Sequence, residues 1–255
     1  MTKIYFASDF HLGLDLIQSS NDRERLIVEW LSEIESDAAE IYLVGDLFDF
    51  WFEYRSVIPR GYTRLIGKLA QLRDRGIPIF IFTGNHDMWM FSFFEEELGI
   101  PIYRTSIIRT FSGRTFLIGH GDGLGPGDHG YKFIKRVFAN PICQWLFARL
   151  HPNFAFWIAK YWSGRSRAKA EGKDRFVGKE HEWLITYAND VLKHENIDYF
   201  IFGHRHLPID CQLDNAKSRY INLGDWMKFR SYAVFDGQDL TLQFYKNDDA
   251  EIIYL

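Results

Sequence analysis

The chain lacks the features of several large protein classes. It has only two cysteines in 255 residues, too few for a disulfide framework or a four-cysteine zinc site, and this fits a reducing compartment. It contains no run of about 20 apolar residues that would predict a membrane-spanning helix. No secretory signal is expected, because Asp9 and His11 interrupt the short apolar run that begins at Lys3. These absences predict a cytoplasmic protein.

The residues that are present predict a globular protein with a sizeable core. Hydrophobic residues make up 47% of the chain and charged residues 25%, while aromatic residues reach a high 17%. The net charge of −4 is unevenly spread, since residues 132–179 contain eleven Lys or Arg and only two acidic residues. This basic segment favours an anionic partner, although a solvated surface is the alternative.

Strands and helices alternate in the first half of the chain, and strands follow one another at its end. Hydrophobic patterns predict strands at 3–8, 40–44 and 77–83 and helices at 22–34, 62–75 and 88–98. A hairpin is predicted at 107–119, followed later by strands at 199–202, 209–213, 220–223, 232–235 and 240–245. This order indicates one α/β domain over residues 1–255, built on two sheets of which one is mixed. A helical insertion is expected at about 128–195.

Five short motifs place polar side chains directly after predicted strands. They are Asp9-x-His11, Gly45-Asp46-x-x-Asp49, Gly84-Asn85-His86-Asp87, Gly119-His120-Gly121-Asp122 and Gly203-His204-x-His206. Because the carboxyl ends of strands form the ligand crevice of open α/β sheets, we expect the five loops to converge. Each motif alone could be an ordinary solvated loop, but all five in this order indicate one site.

The side chains in these motifs are those that bind divalent metals. Aspartate, histidine and an asparagine oxygen suit Mn²⁺, Fe²⁺ or Zn²⁺, and the absence of thiolates argues against a structural zinc. The candidate ligands are too many for one metal with open positions, but they suit two metals that share a carboxylate. Two metals about 3.5–4 Å apart favour displacement at phosphorus. The pattern therefore predicts two-metal hydrolysis of a phosphoester.

The motif order resembles that of the calcineurin-like metallophosphoesterase superfamily from Lys3 to about Leu223. The resemblance implies a four-layer α/β-β/α sandwich, and a hydroxide held between two metal ions as the nucleophile. It implies that the first metal is bound by Asp9, His11, Asp46 and His206. It implies that the second is bound by Asp46, Asn85, His120 and His204, so that Asp46 bridges. We expect Mn²⁺, with Fe²⁺ or Zn²⁺ as alternatives.

Other polar residues of the motifs are expected to support this chemistry. His86 would lie beside the phosphate, where it could stabilise the transition state or protonate the leaving oxygen. Asp49 is interpreted as its orienting partner, with a helix N-cap as the alternative. Asp87 is predicted to cap the helix that follows it. Asp122 could hold the second nitrogen of His120 or could serve the turn.

A finer resemblance is to the UDP-2,3-diacylglucosamine pyrophosphohydrolases of lipid A synthesis. It rests on residues 42–48, Trp51, the His120-Gly121-Asp122 motif, Asp128-x-Gly130-Tyr131 and the place of the insertion. The resemblance implies attack on the α-phosphorus, with 2,3-diacylglucosamine 1-phosphate and UMP as products. Two positions depart from the best-known members, which have Arg in place of His86 and Glu in place of Asp49.

The insertion is rich in aromatic and basic residues. Residues 133–162 contain nine aromatic side chains interspersed with Lys and Arg. Such a composition suits a lid that holds acyl chains and contacts a membrane surface, although packing on the core is the alternative. We expect an amphipathic nucleotide-lipid substrate and peripheral association with the inner membrane. The predicted substrate contacts are Asp128, Tyr131, Ser163, Arg165, Lys169 and Lys173.

Three other functions remain open from the residues alone. A soluble phosphodiesterase or protein phosphatase could use the same site, and would need no lipid for full activity. A nuclease could use the basic segment for phosphates and the aromatic residues for base stacking, although nucleic acid is not the expected partner. A membrane-binding module with a vestigial metal site is the weakest alternative, because all seven expected ligands are present.

Overall fold

A computed structural model describes residues 2–127, 129–159, 161 and 176–255. Its strands are β1 (Lys3–Ala7), β2 (Ala38–Val44), β3 (Ile79–Phe82), β4 (Ile102–Tyr103), β5 (Ile107–Phe111), β6 (Arg114–Ile118), β7 (Tyr199–Phe202), β8 (Pro208–Gln212), β9 (Arg219–Leu223), β10 (Ser231–Phe235), β11 (Leu240–Phe244) and β12 (Ile253–Tyr254). Its α-helices are α1 (Ser20–Ile34), α2 (Thr63–Asp74), α3 (Phe93–Leu98), α4 (His129–Ala139), α5 (Pro141–Phe147), α6 (152–159) and α7 (Trp183–Val191).

The strands form two six-stranded sheets. The first has the order β11-β10-β1-β2-β3-β4 and the second the order β12-β8-β9-β7-β6-β5. In the first sheet β1 to β4 are parallel, whereas β10 pairs antiparallel with β1. In the second sheet β7 lies parallel to β6 and β9, and the β5–β6 hairpin is antiparallel. Both sheets are therefore mixed, whereas the sequence predicted only one mixed sheet.

The two sheets pack face to face and carry helices on their outer faces. Between them Phe116 stacks on Phe6, with ring centroids 6.0 Å apart, and on Tyr199 at 4.8 Å. The outer face of the first sheet is covered by α1 and α2, and that of the second sheet by α7. This arrangement confirms the predicted four-layer α/β-β/α sandwich. None of the helices among the described residues is long and apolar enough to cross a bilayer.

One predicted helix begins later than expected. The sequence pattern suggested a helix from residue 88, but α3 begins at Phe93. The carboxylate of Glu53 accepts hydrogen bonds from the backbone nitrogens of Ser92 (2.7 Å) and Phe93 (3.1 Å), which satisfies the first turn of the helix there. Residues 88–91 are not helical, and Trp89 instead forms an isolated parallel bridge with Phe52.

The helices α4, α5 and α6, which we call the inserted helices, lie between β6 and β7 in the chain. They pack on the loops after β2 and β3 through aromatic rings. Phe147 lies 4.9 Å from Phe52 and 4.8 Å from Trp89, measured between ring centroids. Phe156 lies 5.0 Å from Phe50 in the same way. These contacts place the inserted helices beside the loops that carry Asp49 and His86.

Candidate metal centre

The loops that follow β1, β2, β3, β6 and β7 meet at one edge of the two sheets. They bring together the side chains that the sequence motifs singled out. Asp9, His11 and Asp46 are almost fully buried, with 0–1% of their surface exposed. Parallel strands end at the same edge of a sheet, which is why motifs far apart in the chain become neighbours.

One group of candidate ligands lies on the loops after β1, β2 and β7. Ligand atoms of Asp9, His11, Asp46 and His206 all lie within 4.8 Å of one another. The Nε2 atom of His206 is 3.3 Å from Oδ1 of Asp9, and the Nε2 atom of His11 is 3.6 Å from the same oxygen. These four residues could hold one divalent ion.

A second group adjoins the first through Asp46. Ligand atoms of Asp46, His120 and His204 lie within 4.8 Å of one another. The Nε2 atom of His120 is 3.3 Å from Oδ2 of Asp46 and 3.4 Å from Oδ1 of Asn85. Asp46 therefore belongs to both groups, as a carboxylate shared by two ions would.

The donor set fits divalent cations on its own chemistry. Oδ1 of Asp9 and Oδ2 of Asp46 are buried but accept no hydrogen bond, which is costly for carboxylate oxygens unless a cation compensates. Burial would raise the pKa of Asp9, but His206 and His11 lower it to about 2. The pKa of Asp46 is also well below its usual value, because His120 and His86 outweigh burial. Both carboxylates are thus ionised at neutral pH, as metal binding requires.

The backbone at the candidate ligands adopts an unusual conformation. Five of the seven have a positive φ in the left-handed region, namely Asp9 (56°), His11 (44°), Asp46 (53°), His204 (67°) and His206 (54°). This conformation costs roughly 1–2 kcal/mol for a residue with a Cβ atom. Such strain persists only where surrounding contacts hold it, and it is concentrated at functional sites.

Glycines before the ligands leave room for this packing. A Cβ atom at Gly45 would lie 2.5 Å from Nδ1 of His120, and one at Gly203 would lie 2.5 Å from Oδ2 of Asp9. A Cβ atom at Gly84 would collide with the carboxylate of Asp46. Any larger residue at these positions would displace a candidate ligand.

Backbone and side-chain groups orient the imidazole rings. His120 bonds through Nδ1 to the carbonyl oxygen of Val44 at 2.9 Å, which directs Nε2 to Asp46. His206 has Nδ1 3.5 Å from Oδ2 of Asp225, whose other oxygen accepts a hydrogen bond from the backbone nitrogen of Lys228 at 2.7 Å. Sequence reasoning missed Asp225, although an acidic residue after the buried strand β9 repeats the pattern of the five motifs.

Asp87 ties two of the ligand loops together and does not cap a helix. It is fully buried, and its oxygens accept hydrogen bonds from the backbone nitrogens of Leu47 (2.7 Å) and Gly84 (2.8 Å). The prediction that Asp87 caps the following helix is therefore wrong, since that helix begins six residues later. Burial and the charge of Asp46 raise the pKa of Asp87 to about 7.

His86 and Asp49 lie at the edge of the first group. The backbone nitrogen of His86 donates to Oδ1 of Asp46 at 2.8 Å, and its Nδ1 donates to the carbonyl oxygen of Asp49 at 3.1 Å. The carboxylate of Asp49 is farther away, with Oδ1 3.5 Å from the same Nδ1. Burial lowers the pKa of His86 to about 4, so the ring is neutral at pH 7.

Asp122 serves the inserted helices rather than His120. Its Oδ2 atom accepts hydrogen bonds from the hydroxyl of Tyr131 and from Nζ of Lys135, both at 2.5 Å. The second nitrogen of His120 is bound by Val44 instead, so the interpretation in which Asp122 holds it is wrong. Asp122 thus connects the loop of one candidate ligand to α4.

Among the predicted substrate contacts, Tyr131 alone falls within the described part of the chain. Its ring centroid lies 6.4 Å from that of His204, beside the second group. Five of the six predicted contacts lie outside the described residues, namely Asp128, Ser163, Arg165, Lys169 and Lys173.

The inserted helices have one packed face and one exposed face. Phe138, Phe147 and Phe156 pack on the rings of Phe50 and Trp89. Other large apolar side chains are more than half exposed, namely Phe133, Ile142, Trp145, Leu146, Phe154, Trp157 and Tyr161. Packing therefore accounts for only part of the aromatic content. Trp162 lies outside the described residues.

Comparisons with known proteins show what the chain is similar to. Residues 2–208 match the family described as calcineurin-like phosphoesterase. A protein of Porphyromonas gingivalis named UDP-2,3-diacylglucosamine hydrolase is 40% identical over 256 residues, which cover 95% of this chain and 97% of the relative. A protein of the same name from Aeromonas hydrophila is 28% identical, over 90% of this chain and 92% of the relative. The Escherichia coli phosphoesterase Yfce, a solved structure, is 16% identical with a TM-score of 0.49, covering 97% of this chain and 96% of its own.

Proposed function

The chain belongs to the calcineurin-like phosphoesterase family and is a metal-dependent hydrolase, and from this we propose that it hydrolyses UDP-2,3-diacylglucosamine. The products would be 2,3-diacylglucosamine 1-phosphate and UMP, and the reaction would belong to lipid A synthesis. The relatives that carry the name UDP-2,3-diacylglucosamine hydrolase support this substrate, because one of them is 40% identical over nearly the whole chain.

The observation that carries the proposal is the pair of groups that share Asp46. Asp9, His11, Asp46 and His206 would hold the first ion, and Asp46, Asn85, His120 and His204 the second. We propose Mn²⁺ at both, because carboxylate, imidazole and amide ligands without thiolate suit it, with Fe²⁺ or Zn²⁺ as alternatives. When bound, two ions activate water as a nucleophile at neutral pH and stabilise charge on a phosphoryl group.

His86 is proposed to act on the phosphoryl group. A carbonyl oxygen can only accept, so the hydrogen bond to Asp49 fixes the proton on Nδ1 and leaves Nε2 for the substrate. The proposed leaving group is a sugar 1-phosphate, a weak base that needs little protonation. His86 would therefore contribute mainly by positioning the phosphoryl oxygens. Nε2 of the neutral ring carries no proton, so the negative charge of the bound diphosphate would have to favour the imidazolium form, which donates from Nε2 to a phosphoryl oxygen. Asp49 would hold the ring, through its carbonyl oxygen first and its carboxylate second.

The inserted helices are proposed to hold the acyl chains of the substrate and to contact the membrane that supplies it. Exposed aromatic rings such as Trp157 (61% exposed) and Phe133 (64%) are costly in water but suit an acyl chain or a bilayer interface. Lys135 on α4 adds positive charge beside Asp122, two residues from the candidate ligand His120. Tyr131 is proposed as a substrate contact, together with Asp128, Ser163, Arg165, Lys169 and Lys173. The protein would then work in the cytoplasm, peripherally bound to the inner membrane.

The test is a product analysis with isotope-labelled water. The purified protein with Mn²⁺ should convert UDP-2,3-diacylglucosamine to the two products, and ¹⁸O from water should appear in UMP, because attack is at the α-phosphorus. Label in the lipid phosphate would contradict that direction of attack. Faster hydrolysis of water-soluble phosphodiesters than of the diacyl nucleotide would favour a soluble phosphodiesterase instead.

A further inference from the structure

Arg23 on α1 is buried beneath the loop that carries Asp9 and His11, and none of its surface is exposed. Its guanidinium donates hydrogen bonds to backbone carbonyl oxygens of this loop. Nε donates to Phe10 at 2.7 Å, and Nη2 donates to His11 at 2.7 Å and to Leu14 at 2.6 Å. Nη1 adds a longer bond to Gln18 at 3.3 Å. One side chain therefore binds four carbonyl groups on both sides of a candidate ligand.

The partners of Arg23 are unusual for a buried charge. Buried arginines are normally paired with carboxylates. Within the part of the chain that the structure describes, Asp15 and Asp225 act on Arg23 only through space, and its hydrogen bonds go to carbonyl oxygens. A cation used in this way stabilises one backbone conformation of the loop.

That conformation is one the loop would otherwise avoid. Asp9 and His11 both have positive φ, at 56° and 44°, and neither is glycine. Phe10 lies between them, and two of the four carbonyl groups that Arg23 binds are those of Phe10 and of His11 itself. Without these bonds, the loop could relax to an ordinary conformation, and the ligand atoms of Asp9 and His11 would then separate.

We propose that Arg23 is a positioning residue for the first metal, which holds the Asp9–His11 loop in its metal-binding conformation. The inference rests on the proposed two-metal site. Charge alone predicts the opposite effect, because removing a buried positive charge should strengthen the binding of a cation nearby. The sign of the change in metal affinity therefore separates positioning from simple electrostatics.

Glu24, the next residue on α1, offers a matched control. It is also buried, at 3% exposure, and its Oε1 atom accepts hydrogen bonds from the backbone nitrogens of Arg64 (2.9 Å) and Leu65 (3.0 Å) at the start of α2. Glu24 thus stabilises the start of a helix, and its hydrogen bonds within the described part of the chain go to none of the ligand loops. Loss of either side chain should lower the stability of the fold, but only loss of Arg23 should change metal binding.

The experiment is a titration of the metal-free protein with Mn²⁺, in which free Mn²⁺ is measured by electron paramagnetic resonance. Wild-type protein should bind two ions. In Arg23→Met one of the two should bind about 10–100-fold more weakly, the usual effect of removing a group that orients ligands, while the other keeps its affinity. Glu24→Ala should keep both affinities and lose only thermal stability.

Arg23→Lys provides a second variant that should fold if Arg23→Met does not. A lysine keeps the charge but cannot span four carbonyl groups, so its affinity should fall between wild type and Arg23→Met. Unchanged or tighter binding in folded Arg23→Met or Arg23→Lys would overturn the inference. Fewer than two ions bound by the wild-type protein would instead contradict the proposed two-metal site.

Discussion

The ligand loops and the inserted helices are built in opposite ways. Asp9, His11 and Asp46 are at most 1% exposed, and Asp46 and Asp9 accept hydrogen bonds from two other loops, those that carry His86 and His204. The helices α4 and α5 contain no buried residue, and Phe133 and Trp157 are more than 60% exposed. One region holds buried polar side chains by hydrogen bonds, and the other presents exposed apolar side chains.

The difference reflects what each region has to recognise. Charge that develops on a phosphoryl group is stabilised best by groups in fixed positions. A strained backbone and buried carboxylates are therefore expected in the loops that hold such groups. Acyl chains are bound because their apolar area is removed from water. This requires a large apolar surface on the protein rather than atoms in fixed positions. Changes to the candidate metal ligands should therefore affect every substrate, whereas changes in the inserted helices should affect lipid substrates alone.

The largest effect is expected from Asp46→Asn. This carboxylate belongs to both metal groups, so its charge cannot be replaced by a neighbour. We expect loss of bound metal and a fall in kcat of at least about 10³-fold on any substrate, since metal ions supply several kcal/mol. Metal content by mass spectrometry and turnover test this. Asp190→Asn, at a surface ion pair with Lys193, is the control.

Two metals per chain with near-normal turnover in Asp46→Asn would show that the shared carboxylate is not needed. Extended chelation of the wild-type protein should reproduce the loss of activity, and Mn²⁺ should restore it. Restoration in wild type but not in Asp46→Asn would assign the defect to the metal site.

His86→Ala should keep both metals and lower kcat about 10²-fold, the lower end of the range for acid–base groups, because the proposed leaving group is a weak base. Asp49→Asn should cost less, since the carbonyl oxygen that binds His86 remains. Kinetics and metal analysis of both variants are the measurements. Loss of metal in His86→Ala would place His86 among the ligands, and a larger loss in Asp49→Asn than in His86→Ala would contradict the orienting role.

The double variant Trp157→Ser and Phe154→Ser should lose activity on the lipid substrate but not on soluble substrates. Both rings are more than half exposed, so the variant should fold, and we expect KM for the diacyl nucleotide to rise about 10-fold. Hydrolysis of a small chromogenic phosphodiester should stay unchanged, because the metal groups are untouched. Binding to anionic vesicles, measured by flotation, should fall as well.

The control for this pair is Ile108→Ser. Ile108 is 50% exposed on the edge strand β5, outside the inserted helices. Ile108→Ser should leave the hydrolysis of both substrates and the binding to vesicles unchanged. Equal losses on lipid and soluble substrates in the Trp157 and Phe154 variant would mean that the inserted helices serve the fold alone.

The smallest effect is expected from Asp122→Asn, which weakens the connection between the two regions. It removes the charge that binds Lys135 but leaves an oxygen that can accept from Tyr131. We expect a loss of about 1 kcal/mol in stability and a KM change of a few-fold on the lipid substrate only. Thermal unfolding and lipid kinetics measure both. Asp122→Asn and Lys135→Met should be non-additive, and full additivity would contradict the contact.

The five motifs could be found from sequence because each is local. A strand followed by Gly and a polar ligand is visible within a few residues, and the chain order of Asp9, Asp46, Asn85, His120 and His204 matches a known family. The alternation of apolar strands and helices predicted an α/β domain built on two sheets, and the family resemblance implied the four layers. The bounds of α1 and α2 were predicted to within two residues, whereas α3 begins five residues later than predicted, where Glu53 acts from 40 residues away.

Sequence patterns were enough to predict which residues form the candidate site and the order of strands and helices along the chain. How those residues are held depends on the packed fold. It set Val44 rather than Asp122 against the ring of His120, across 76 positions of the chain, and placed Arg23 under the first ligand loop. The reason is that a backbone carbonyl is the same group in every residue, so no sequence pattern indicates which one a side chain will bind. Those partners are selected only when two sheets pack together and bring distant loops within hydrogen-bonding distance.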